Sequence, residues 1–127
     1  MYVSDNNILV IEQQKISSLP SDISKYTNIK KMLCINNHSL TALDNLPPAL
    51  ESLICYNNNL SSNSLDNLPP TLETLHCNGN NIISLNNLPP MLKVLHCYNN
   101  TLAELNNFPI TLEDFHGDFI LTLPKKI

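Results

Sequence analysis

Residues 68–82, LPPTLETLHCNGNNI, hold one of the chain's four cysteines, Cys77, with Asn80 three positions after it. The other cysteines, Cys34, Cys55 and Cys97, carry the same trailing Asn at Asn37, Asn58 and Asn100. The intervals along the series are 21, 22 and 20 residues. Spacing of that kind signals stacked repeats before it signals a metal set or a disulfide framework. The stretch recurs as LPPALESLICYNNNL at 46–60 and LPPMLKVLHCYNNTL at 88–102. FPITLEDFHGDFIL at 108–121 is a decayed copy. Upstream, NIKKMLCINNHSL at 28–40 and ILVIEQQKISSLP at 8–20 keep the frame, with Ile11 in the Cys slot.

Each copy can be read physically. Leu53 and Cys55 alternate with Ser52, Ile54 and Tyr56, the two-residue period of a strand. The alignment therefore predicts six short parallel strands centred near residues 9–11, 32–34, 53–55, 75–77, 95–97 and 115–117, stacked at ~4.8 Å. Asn37, Asn58, Asn80 and Asn100 then form a ladder whose amides satisfy backbone groups of neighbouring turns. Leu60, Leu65, Leu68 and their equivalents fill the interior. Pro47–Pro48, Pro69–Pro70 and Pro89–Pro90 forbid helix and favour extended polyproline geometry. Only the longer first interval has room for a short helix, at about 21–27 with Ser21 as its cap.

The shared pattern L-x-x-L-x-C-x-x-N-x-L resembles the leucine-rich repeat signature, with Cys in the third apolar slot. The resemblance runs over roughly residues 6–124. The period near 20 and the LPP segment are similar to the short repeats of bacterial effector proteins. The Asn-rich LDNLPP…LxCxxN flavour also resembles repeat proteins of giant amoebal viruses. What this implies is an α/β-type solenoid: parallel strands on a concave face, extended convex segments, and very little helix. The whole chain, residues 1–127, reads as one domain of five to six repeats.

In that frame the four cysteines stack inward beside leucines, where Cys acts as a small hydrophobe. Disulfides between adjacent strands would strain the stack, because the Cβ vectors run nearly parallel. The dipeptides His76–Cys77 and His96–Cys97 suggest metal ligation, but neighbours on a strand face opposite sides. No C-x-x-C spacing occurs either. Three His in register offer imidazoles to a divalent ion; even so, no metal ligand and no cofactor is assigned.

The totals narrow the function. Seven Lys and Arg against eleven Asp and Glu give a net charge of −4. That balance argues against nucleic acid or an anionic membrane surface as partner. No apolar run approaches a membrane span. MYVSDNNILVIEQQ lacks a basic n-region, so no signal peptide is read and a cytoplasmic location is expected, host cytoplasm for a viral chain. The only glycines are Gly79 and Gly117, leaving no phosphate loop. Related effector repeats often precede a ubiquitin-ligase domain with a catalytic Cys. With the sequence ending at Ile127, none is expected, and the chain is read as no enzyme.

The outward strand positions form three columns. One is Val10, Leu33, Ile54, His76, His96 and His116. The next is Glu12, Ile35, Tyr56, Asn78, Tyr98 and Asp118. The third is Ile8, Lys31, Ser52, Thr74, Val94 and Asp114. An apolar and aromatic patch with a polar rim is typical of protein contacts. The expected function is thus binding of a protein partner on the concave face, through Leu33, Ile35, Ile54, Tyr56, His76, His96, Tyr98 and His116. Glu51, Glu73, Lys93 and Glu113 form a solvated row opposite. The alternative is a self-assembling protein. Its motive is the short terminal segments MYVSDNN and LTLPKKI, which are expected to leave solenoid ends open to homo-oligomer formation.

Overall fold

Strand pairing follows the repeat. In the computed structural model, which describes residues 1–102 and 105–119, seven strands form one sheet in sequence order. They are β1 (Tyr2–Val3), β2 (Ile8–Glu12), β3 (Lys31–Ile35), β4 (Ser52–Ile54), β5 (Thr74–His76), β6 (Val94–His96) and β7 (Asp114–His116). β2 to β7 are parallel, and each expected strand falls within a residue or so of its expected centre. The chain is thus a β-solenoid whose turns each contribute one strand.

Inward residues stack in register. Leu9, Met32, Leu53, Leu75 and Leu95 form one fully buried column, and Ile11, Cys34, Cys55, Cys77 and Cys97 form the next. Leu50, Leu72, Leu92 and Leu112 close the interior ahead of the strands, while Leu40, Leu60, Ile82 and Leu102 close it behind them. All four cysteines are free.

The Asn ladder forms as expected. Asn58 Nδ2 donates to the carbonyls of Cys34 (2.7 Å) and Cys55 (2.8 Å), and its Oδ1 accepts from Asn37 N–H (2.9 Å). Asn80 and Asn100 repeat the double donation one and two turns later. Each amide thereby ties two successive turns at the place where the strand ladder ends. A second regularity sits one residue earlier. Asn36, Asn57, Gly79 and Asn99 all have positive φ, from 56° to 67°. Asn and Gly are the residues that tolerate this left-handed turn, which is a second reason the chain is rich in Asn.

The structure corrects several expectations. The double prolines do exclude helix, but the second one opens a tight turn instead of prolonging an extended segment. Leu50, Leu72 and Leu92 N–H donate back to Pro47, Pro69 and Pro89 carbonyls at 3.3, 3.1 and 3.2 Å. Proline's fixed φ suits the second position of such a turn. The expected helix at 21–27 shrinks to a 3₁₀ turn at Ile23–Lys25, flanked by Asp22 rather than Ser21 and without a side-chain cap. A second 3₁₀ turn, Ser62–Leu65, uses the extra residues of the 22-residue interval.

The end by residues 1–7 is not open in the way expected. β1 pairs antiparallel with β2, setting Tyr2 opposite Val10 and Val3 opposite Leu9. Lying between β1 and β3, Val10 is only 6% exposed and does not join the outward patch. The expectation for LTLPKKI falls outside the described residues.

Candidate functional site

The outward face of the sheet is built by the pleat. β4, β5 and β6 each bury the middle residue and lift the flanking two, so His76 stands half-exposed while Cys77 beside it is fully buried. Strand register then places Leu33, Ile54, His76, His96 and His116 side by side across five strands. Ile35, Tyr56 and Tyr98 form the adjoining row, with Asn78 between the two tyrosines. All eight residues expected to line this face are on it. Leu33, Ile35, Ile54, Tyr56, His76 and His96 are half-buried, whereas Tyr98 and His116 are exposed.

The face divides along the solenoid. Over β3 and β4 it is apolar. Over β5 to β7 it becomes an imidazole row: His76 and His96 stack with centroids 4.1 Å apart and planes 7° apart, and His96 meets His116 edge-on at 4.4 Å. Burial first, and then the neighbouring His96, hold the His76 imidazole below its ordinary pKa. A cation there would lose solvation and face a second imidazole.

Asp114 completes this end. It lies two residues before His116 on the same face, and its two carboxylate oxygens reach His96 Nε2 (3.2 Å) and His116 Nε2 (3.0 Å). The hydrogen bond from His96 is the largest influence holding the Asp114 carboxyl below its usual pKa. Sequence reasoning placed Asp114 and His116 in separate columns and missed their convergence. The available signal was the spacing D-x-H on one strand, opposite a His on the next. Asp118 is exposed, as expected of an outward position, but its carboxylate is engaged by the preceding turn. Its carboxylate accepts from Asn99 N–H (3.0 Å) and Asn100 N–H (3.2 Å), ending the Asn ladder.

The opposite surface is charged and paired. Lys93 Nζ lies 3.1 Å from Glu73, and Lys30 Nζ lies 3.7 Å from Glu51. Among the described residues, a surface depression lies beyond β2 and β3, bounded by Gln13, Gln14, Asn36 and His38. No described helix is long and apolar enough to cross a membrane.

Together, the parallel stack, a period of about 21 residues, the Asn ladder and the near absence of helix define a short-period leucine-rich repeat solenoid. No family model matches the sequence, and no curated protein matches it. Among solved structures, the chain is similar to YopM from Yersinia enterocolitica WA-314, a bacterial effector leucine-rich repeat protein, at 28% sequence identity and a TM-score of 0.62. The likeness covers 77% of this chain and 22% of that one, so the chain spans about a fifth of that protein's length. Solenoids of this class commonly serve protein interaction, and their extended surfaces suit it.

Proposed function

We propose that the chain is a non-enzymatic interaction module whose protein partner docks on the outward, concave β-face, across Leu33, Ile54, Tyr56, His76, His96 and Tyr98. The observation that supports this most is the contrast between surfaces. The strand register gathers apolar and aromatic side chains into one continuous outward patch, while the Glu51 and Glu73 side is already neutralised by lysines. Tyrosines carry a disproportionate share of binding energy at such patches, and Tyr98 is 40% exposed. Reduced, buried thiols suit a reducing cytoplasm, that of a host if the chain is an effector or viral product.

Capture of the partner with point variants tests the reading. Tyr56→Ala and Tyr98→Ala should each weaken binding by roughly 1 kcal/mol or more. Glu51→Gln and Glu73→Gln remove only part-exposed ion pairs and should change little. Folded tyrosine variants that bind like the wild type, beside Glu variants that lose the partner, would place the working surface on the other side.

A second reading, self-association, has its own observation. β1 is an edge strand, and Met1, Tyr2 and Val3 are 48%, 57% and 41% exposed. Edge strands of this kind template pairing with another chain. Light scattering separates the readings: a mass that rises with concentration, and falls back in Tyr2→Lys, supports assembly through β1.

A further inference from the structure

The geometry points to a divalent transition-metal site, with zinc as the reference ion, formed by His96, Asp114 and His116 at the β6–β7 end of the outward face. Three observations carry it. First, the donor set is two imidazoles and one carboxylate, the mixture that borderline ions such as zinc prefer and that calcium and magnesium do not. Second, the three donors are already assembled. The ligating atoms all lie within 4.8 Å of one another, and the two Asp114 oxygens, Oδ2 and Oδ1, lie 3.2 and 3.0 Å from the Nε2 atoms of His96 and His116 respectively. Tetrahedral zinc with ligand bonds near 2.0–2.1 Å holds its donors about 3.3 Å apart. An ion draws both imidazoles toward one carboxylate oxygen, and His116, with 58% of its side chain exposed, has the freedom to rotate inward.

Third, the scaffold orients the set. Asp114 and His116 project from one strand at a two-residue spacing, and His96 is the direct cross-strand partner of His116. His76 stacks flat on His96, so the ring that must present Nε2 is supported from the side away from Asp114. Without an ion, Asp114 accepts hydrogen bonds from the imidazole Nε2 positions. With an ion, each neutral imidazole offers its Nε2 lone pair, keeps its proton on Nδ1, and the carboxylate supplies the third ligand. Three protein ligands on an exposed face leave a fourth coordination position open to water or to a donor group from outside the chain. This assignment is independent of the docking surface proposed above, since it concerns a small ion and needs no protein partner.

Titration of the full metal-free chain with zinc chloride, read by calorimetry, tests the site. One ion should bind per chain. His96→Ala, His116→Ala and Asp114→Asn should each weaken binding at least about tenfold, the lower end of what even outer-shell partners of a metal contribute. His38→Ala, an exposed histidine outside the cluster, should leave affinity unchanged. Imidazole nitrogen NMR of the wild-type chain gives a readout that needs no variant: zinc should shift the ring signals of His96 and His116 and leave His38 in place. Three results would overturn the assignment. One is absence of binding. Another is a loss in His76→Ala as large as in His116→Ala, which would assign the ion to the histidine row. The third is thiolate-to-cobalt charge-transfer absorption on titration with cobalt chloride, which would assign it to cysteine.

Discussion

Asn80 shows how much one side chain can carry in a stacked repeat. Its amide donates to the Cys55 and Cys77 carbonyls at 3.1 and 2.9 Å, and its oxygen accepts from Leu60 N–H at 3.0 Å. Alanine there would strand the buried Leu60 N–H and leave the Cys55 and Cys77 carbonyls, on two successive turns, with the Asn58 and Asn100 amides as their remaining side-chain donors. Asn80→Ala should therefore cost about 1–3 kcal/mol, from one unsatisfied buried group, while Asn86→Ala at an exposed position should cost under about 0.5 kcal/mol. Urea denaturation measures both. The cysteines make the complementary case. Burial raises the Cys34 and Cys97 thiols to about 12 and holds Cys55 and Cys77 well above the ordinary 9.0. The folded thiols thus hold protons that the unfolded chain gives up. Their contribution is complete below pH 9 and is lost as pH rises toward 12, so the melting temperature should fall progressively above pH 9. Native chains should resist a thiol reagent until denatured. Cys77→Ser should cost roughly 1–3 kcal/mol by burying a hydroxyl. Rapid labelling of two or more native thiols would contradict the inward ladder.

Among the elements, the strands were legible and their exceptions were not. Two-residue alternation inside a period near 21 places β2 to β7 closely, because register within a repeat is set by which residues must face the core. β1 escaped because it has two residues and pairs antiparallel, outside the period. The proline turns escaped because proline's φ fits both an extended segment and the second position of a turn. Asp114 escaped for a different reason: a column read along the solenoid hides a convergence that runs across columns. The last turn carries a substitution pair that sequence alone presents as decay. Phe115 takes the leucine slot and Gly117 the cysteine slot. A Cβ on Gly117 would lie 2.6 Å from the Phe115 ring and 3.4 Å from Cys97 Sγ, so the ring occupies the room that the missing side chain vacates. Gly117→Ala should cost roughly 1–3 kcal/mol through overpacking. Adding Phe115→Leu should recover most of that loss, since the pair then approaches the repeat of the preceding turns. Additive losses in the double variant, by thermal or urea melting, would mean that the two positions are not coupled.

At the scale of the whole molecule, the solenoid has sides that differ in chemistry: an outward strand face bearing Leu33, Ile54, Tyr56 and Tyr98, and turns bearing Met91 and Ile110, which are 51% and 86% exposed. Both sides thus present oxidisable or apolar groups, and a partner must choose between them. Hydroxyl-radical footprinting of the captured complex reads that choice directly. Side chains of Leu33, Ile54, Tyr56 and Tyr98 should lose reactivity on binding, while Met91 and Ile110 keep theirs. Protection of Met91 and Ile110, with Tyr56 and Tyr98 reacting as in the free chain, would contradict the assignment of the strand face as the binding surface.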